Sequence, residues 1–100
     1  MLNIDVEKEE NRLTIILVGR LDTMTAPNFE RILEKSLDGI SELFLEMSEL
    51  EYISSAGLRI LLYTQKLMSG KGTMKLRGVT APVQEIFDVT GFSDILTIEN

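Results

Sequence analysis

Apolar and polar positions along this chain change period several times, and each change marks an element. Leu2, Ile4 and Val6 alternate with Asn3, Asp5 and Glu7, which predicts a strand with one face exposed over residues 2–7. Glu9-Glu10-Asn11 reads as the turn. Leu13 to Val18 is apolar apart from Thr14, the pattern of a strand buried on both faces, and it pairs with the first strand as a hairpin. Gly19-Arg20-Leu21-Asp22-Thr23 reads as a loop. Thr25 is placed to cap a helix, and Pro27 suits its first turn, where a missing N–H costs nothing. Phe29, Ile32, Leu33 and Leu37 share one helical face, and Gly39 is the expected stop.

The second half repeats the alternation. Leu43 to Met47 has strand length. From Leu58 the period is helical, with Leu58, Leu61, Leu62, Gln65 and Met68 in one stripe, ended by Gly70-Lys71-Gly72. Met74 and Leu76 predict a short strand whose Lys75 and Arg77 point the other way. Pro82 opens a third helix with Val83, Ile86 and Phe87 inward, and Gly91 stops it. Ile95 to Ile98 is a last apolar segment with the character of an edge strand. A hairpin followed by alternating helix and strand predicts an α/β fold with a mixed sheet, its parallel pairs joined by right-handed crossovers.

Composition narrows the chemistry. One hundred residues, 44% hydrophobic and 26% charged, suit one folded domain over 1–100. A net charge of −6 disfavours nucleic acid and anionic lipid and favours a partner with a basic face. Leu13 to Val18 is far too short to cross a bilayer, so no membrane insertion is expected. Asp5 and Glu7 near the start, without a basic run, predict no secretory leader, and the cytoplasm is the expected compartment. Cysteine and histidine are both absent, which removes disulfides, thiolate or imidazole metal sites, and Ser-His-Asp or Cys-His catalysis. No pair of carboxylates stands in a catalytic spacing. No enzyme, metal or cofactor is expected.

The candidate chemistry lies in Tyr52-Ile53-Ser54-Ser55-Ala56-Gly57-Leu58, between a predicted strand and a predicted helix. A serine there ordinarily caps the helix. It also lies where free N–H groups and the positive end of the helix dipole suit a phosphate. Asp22 stands after the second strand. As a turn carboxylate it is unremarkable, but if that strand is parallel to Leu43–Met47, its loop and the serine loop open on the same sheet edge. Gly70-Lys71-Gly72-Thr73 lacks the phosphate-loop spacing and follows a helix, so it reads as a plain turn. Arg59 and Lys66 fall on the exposed side of their helix.

These residues resemble the STAS domain family, and within it the stand-alone bacterial anti-sigma factor antagonists. Gly19-Arg20-Leu21-Asp22 with Thr25-Ala26 looks like the family's G-x-L-D…T-A segment. Tyr52 to Leu58 looks like its phosphorylation loop, and Gly91-Phe92-Ser93-Asp94-Ile95 is similar to its closing turn. The resemblance implies a mixed sheet of four to five strands with about three to four helices packed mainly on one face. It implies a binding protein that works by partner switching. Unphosphorylated, it would bind an anti-sigma serine kinase and free a sigma factor. Phosphorylation of the loop serine, here Ser55, would end binding, and a serine phosphatase would reset it. Asp22, Thr23, Ser54, Ala56, Gly57, Leu58 and Arg59 would form the partner surface. Three positions depart from the family pattern: Ser54 replaces the usual acid, Ala56 replaces a small hydroxyl residue, and Arg59 replaces a second glycine. An interaction subunit of a lipid or anion transport assembly, never phosphorylated, is the alternative.

Overall fold

The computed structural model describes residues 1–99; Asn100, which the single-domain reading over 1–100 includes, lies outside the described residues. Strand β1 (Leu2–Glu9) turns through Glu10 and Asn11 into β2 (Arg12–Leu21), and the two pair antiparallel. Helix α1 (Ala26–Ser36) leads to β3 (Glu42–Ile53), and α2 (Ser55–Ser69) leads to β4 (Thr73–Arg77). Helix α3 (Ala81–Thr90), a single 3₁₀ turn over Phe92–Asp94 and a two-residue strand β5 (Ile98–Glu99) complete the chain. The sheet order is β1-β2-β3-β4-β5, and every pair after the first is parallel. Each parallel step moves one strand in the same direction, so right-handed crossovers put all three helices on one face. The mixed sheet and the three helices are those expected from the sequence.

The two faces differ accordingly. Leu13, Ile15 and Leu17 of β2 and Leu43, Leu45 and Met47 of β3 are fully covered by the helices. Thr14, Ile16 and Val18 on the opposite face are only half-buried, which corrects the expectation that β2 is covered on both faces. Among the described residues no helix lies there. Phe44 nevertheless points to that open face and is buried, because arginines cover its ring. The Arg77 guanidinium lies 3.8 Å from the ring centroid and that of Arg12 lies 5.4 Å away. Both are held by carboxylates, Arg12 by Glu42 at 3.3 Å and Arg77 by Glu99 at 3.2 Å. The Arg77 hydrogen bond, with Lys75 nearby, holds the Glu99 carboxyl below its usual value.

Several boundaries differ from those the pattern predicts. β2 continues through Gly19 to Leu21 rather than ending at Val18. Gly19 adopts φ +114, where a side chain would collide with the Met1 carbonyl. β3 is twelve residues long rather than five. Its upper half hides its strand character because it carries two bulges. Glu46 stands opposite Ile16, Glu49 opposite Val18 and Tyr52 opposite Arg20, so β3 gains one residue at each step. Its inward residues therefore change from every second position to Met47, Leu50 and Ile53. α1 ends at Ser36, before Gly39. α2 buries Gly57, Ile60, Leu61, Thr64 and Met68, while Leu62 and Gln65 flank the buried stripe. Gly91 caps α3 in the left-handed conformation, as expected. Ile95 and Leu96 precede the last strand rather than forming it.

Candidate functional site

β2 and β3 are parallel, so their following loops emerge side by side at one edge of the sheet. A backbone hydrogen bond joins the two exits: the Ser54 N–H donates to the Leu21 carbonyl at 2.8 Å. Asp22 and Ser55 are the residues that follow each bonded partner.

Asp22 organises the first loop. Its Oδ1 accepts from the N–H groups of Met24 at 3.0 Å and Thr25 at 3.1 Å. These bonds stabilise the ionised carboxylate. The Thr25 N–H contributes most and the Met24 N–H adds to it, so the Asp22 pKa lies below its usual value despite some desolvation. Thr25 does not cap α1 through its side chain. Its hydroxyl instead turns back, donating to the Arg20 carbonyl and accepting from the Asp22 N–H, both at 2.9 Å. The expected cap is therefore an Asx-type turn built by Asp22. Oδ2 of Asp22 makes no hydrogen bond among the described residues, so one carboxylate oxygen stays available. Thr23 beside it is exposed.

The second loop divides two serines between two tasks. Ser54 is extended, with φ −92 and ψ 175, and its Oγ accepts from the Gly57 N–H at 3.4 Å. The Ser54 carbonyl accepts from the Leu58 N–H at 2.9 Å. Ser54 is thus the N-cap of α2. Ser55 is the first helical residue and is exposed, and its hydroxyl has no hydrogen-bond partner among the described residues. The sequence alone leaves open which serine caps.

The remaining residues of the expected partner surface separate into two groups. Arg59 is exposed and Ala56 half-buried. Gly57 and Leu58 are buried. A Cβ on Gly57 would lie 2.8 Å from Leu21 Cγ and 2.8 Å from Ile53 Cγ1. That glycine lets α2 approach its own sheet closely. Leu58 fills the core at 7% exposure.

Between α1 and α2 lies a cleft of about 340 Å³. Thr23, Pro27 and Glu30 line one side, and Ala56, Arg59 and Tyr63 line the other. The sequence reading missed Tyr63 and this cleft. The signal was a tyrosine one turn after Arg59; it is 63% exposed. Arg20, by contrast, is committed to the open face, with its guanidinium 4.5 Å from the Tyr52 ring centroid. Gly70-Lys71-Gly72 is a turn, as expected. Among the described residues no group of three or more acids stands together to hold a metal. No helix among them is long and apolar enough to cross a membrane.

Residues 3–100 match the STAS domain family. The chain is 28% identical over 98 residues to the anti-sigma-B factor antagonist of Bacillus subtilis, covering 97% of this chain and 90% of that one. It is 30% identical over 105 residues to the protein of the same name in Listeria monocytogenes, covering 99% and 91%. Among solved structures, an anti-sigma factor antagonist from Mycobacterium paratuberculosis shares the fold. Its TM-score is 0.88 at 20% identity, over 98% of this chain and 85% of that one.

Proposed function

The chain belongs to the STAS domain family, and from that premise we propose that it is an anti-sigma factor antagonist that works by partner switching. The observation that carries the reading is the division of labour between the serines: Ser54 caps α2, which leaves the Ser55 hydroxyl exposed and uncommitted. The similarity to two anti-sigma-B factor antagonists over nearly their whole length supports it.

In this scheme the unphosphorylated chain binds an anti-sigma factor of the serine-kinase kind through the edge formed by Asp22, Thr23, Ser55, Ala56 and Arg59. A sigma factor is thereby released. The kinase then transfers the γ-phosphoryl group of ATP to Ser55 Oγ. The O–P bond forms as the bond to ADP breaks, and the hydroxyl proton passes to a base of the kinase. The new phosphate brings about −1.5 to −2 charge. Burying it in an interface without a basic partner costs several kcal/mol, out of the roughly 8 kcal/mol that a micromolar complex holds. One phosphate is enough to end such binding. A serine phosphatase restores the first state, and the cycle takes place in the cytoplasm. The chain itself contributes a binding surface and an acceptor rather than catalysis.

Calorimetric titration of the partner kinase tests the reading. Ser55→Ala should bind like the wild type, and Ser55→Asp should bind at least tenfold more weakly. Equal affinity of both variants would remove Ser55 as the switch.

A further inference from the structure

We propose that, once Ser55 is phosphorylated, Arg59 folds back over the first turn of α2 and holds the phosphate within the same molecule. The inference rests on the reading of Ser55 as the acceptor and deepens it. It gives a task to the arginine that stands where the family pattern has a glycine.

The geometry is that of a helical i, i+4 pair. Ser55 is the first residue of α2 and Arg59 lies one turn later, so their Cβ atoms are about 6 Å apart on the same face. Both side chains are exposed. The acidic group precedes the basic one, the favourable order for such pairs. Arg59 makes no ion pair among the described residues. Other cations are badly placed: Arg20 is stacked on Tyr52, and Lys66 lies three turns along α2, roughly 16 Å away.

Three acids compete for Arg59 or repel the phosphate. Glu30 of α1 lines the cleft shared with Arg59, Asp22 lies in the neighbouring loop, and Glu51 stands near the end of β3. None is within ion-pair distance of Arg59. A phosphate with nearly two charges and three acceptor oxygens outcompetes a single carboxylate for a guanidinium, which binds it with two parallel hydrogen bonds. Phosphorylation then alters two side chains at once. It adds an anion at Ser55 and withdraws the cation at Arg59 from any acidic group of the partner.

The test uses chain carrying phosphoserine at position 55, installed during translation so that no kinase is needed. Phosphorus NMR follows the second ionisation of the phosphate against pH in the wild type, Arg59→Gln, Arg59→Lys and Lys66→Gln. Arg59→Gln should raise the proton affinity of the phosphate about threefold, as loss of a charge-assisted i, i+4 pair implies. Lys66→Gln should leave it unchanged, and Arg59→Lys should lie between. The Arg59→Gln difference should shrink at about 1 M salt, where the screening length is near 3 Å. The N–H groups that open α2 act on all four chains alike and cancel from the comparison. A titration in Arg59→Gln that superimposes on the wild type overturns the proposal. A kinase that ignores Ser55 would end the acceptor reading while leaving this result intact.

Discussion

Replacing Gly57 with alanine sets two known effects against each other. Alanine is favoured over glycine inside a helix by about 0.8–1.0 kcal/mol, so an exposed position in α2 would gain stability. Gly57 is buried, however, and the added Cβ would lie 2.8 Å from Leu21 Cγ and from Ile53 Cγ1, and 3.0 Å from Leu21 Cδ2. Neither Cγ is the free end of a side chain. Leu21 is wholly buried and Ile53 nearly so, so neither has space to move into. Overpacking of this kind costs about 1–3 kcal/mol. The net expectation is a loss of about 1 kcal/mol, which is roughly 4–8 °C in melting temperature for a chain of this size. Gly70→Ala is the matched control. At Gly70, φ is −89 and the nearest atom to a new Cβ is the Leu67 carbonyl oxygen at 3.7 Å. There the substitution should be neutral or stabilise by up to about 1 kcal/mol. Urea denaturation of both variants, with unchanged slopes, measures the contrast. A Gly57→Ala chain as stable as the wild type would refute the claim that this glycine lets α2 seat against β2 and β3.

Ser54→Ala removes the α2 cap and should cost about 1 kcal/mol in urea denaturation, while Ser55→Ala should cost little, since its hydroxyl has no partner. The Asp22 carboxyl ionises more readily folded than unfolded, so its contribution is present above its usual pKa of 3.8 and is lost as pH falls through the lower folded value. The melting temperature of Asp22→Asn should therefore lie below that of the wild type at neutral pH, and the gap should narrow as the pH falls below that usual value. Arg77→Ala uncovers Phe44 and breaks the Glu99 pair; both contacts are partly exposed, so the expected loss is about 1 kcal/mol by thermal melting.

The sequence carried the element order because its periods change cleanly at Gly39, Gly70 and Gly91. β3 was legible only up to Met47. Beyond it, two bulges replace the period of two that marks a strand, and polar Ser48, Glu49 and Glu51 interrupt the apolar run. The open face was misread because Ile16 and Val18 are apolar without being covered. How far an outward residue is covered depends on partners far away in sequence, as Arg77 and Arg12 cover Phe44. At the site, Ser54, Ser55 and Asp22 stood out in the sequence as candidates. Which serine caps depends on where α2 begins, and a shift of one residue exchanges the roles. The packing role of Gly57 was not legible, because it depends on the positions of Leu21 and Ile53 on two different strands.

The reading of Ser55 as acceptor is tested most directly by intact mass and peptide mapping after incubation with Mg-ATP and the serine kinases encoded in the same genome. The account predicts one added phosphate, mapped to Ser55, present in Ser54→Ala and absent in Ser55→Ala. Phosphate on Ser54, or an unmodified chain with every active kinase of that class, would contradict it.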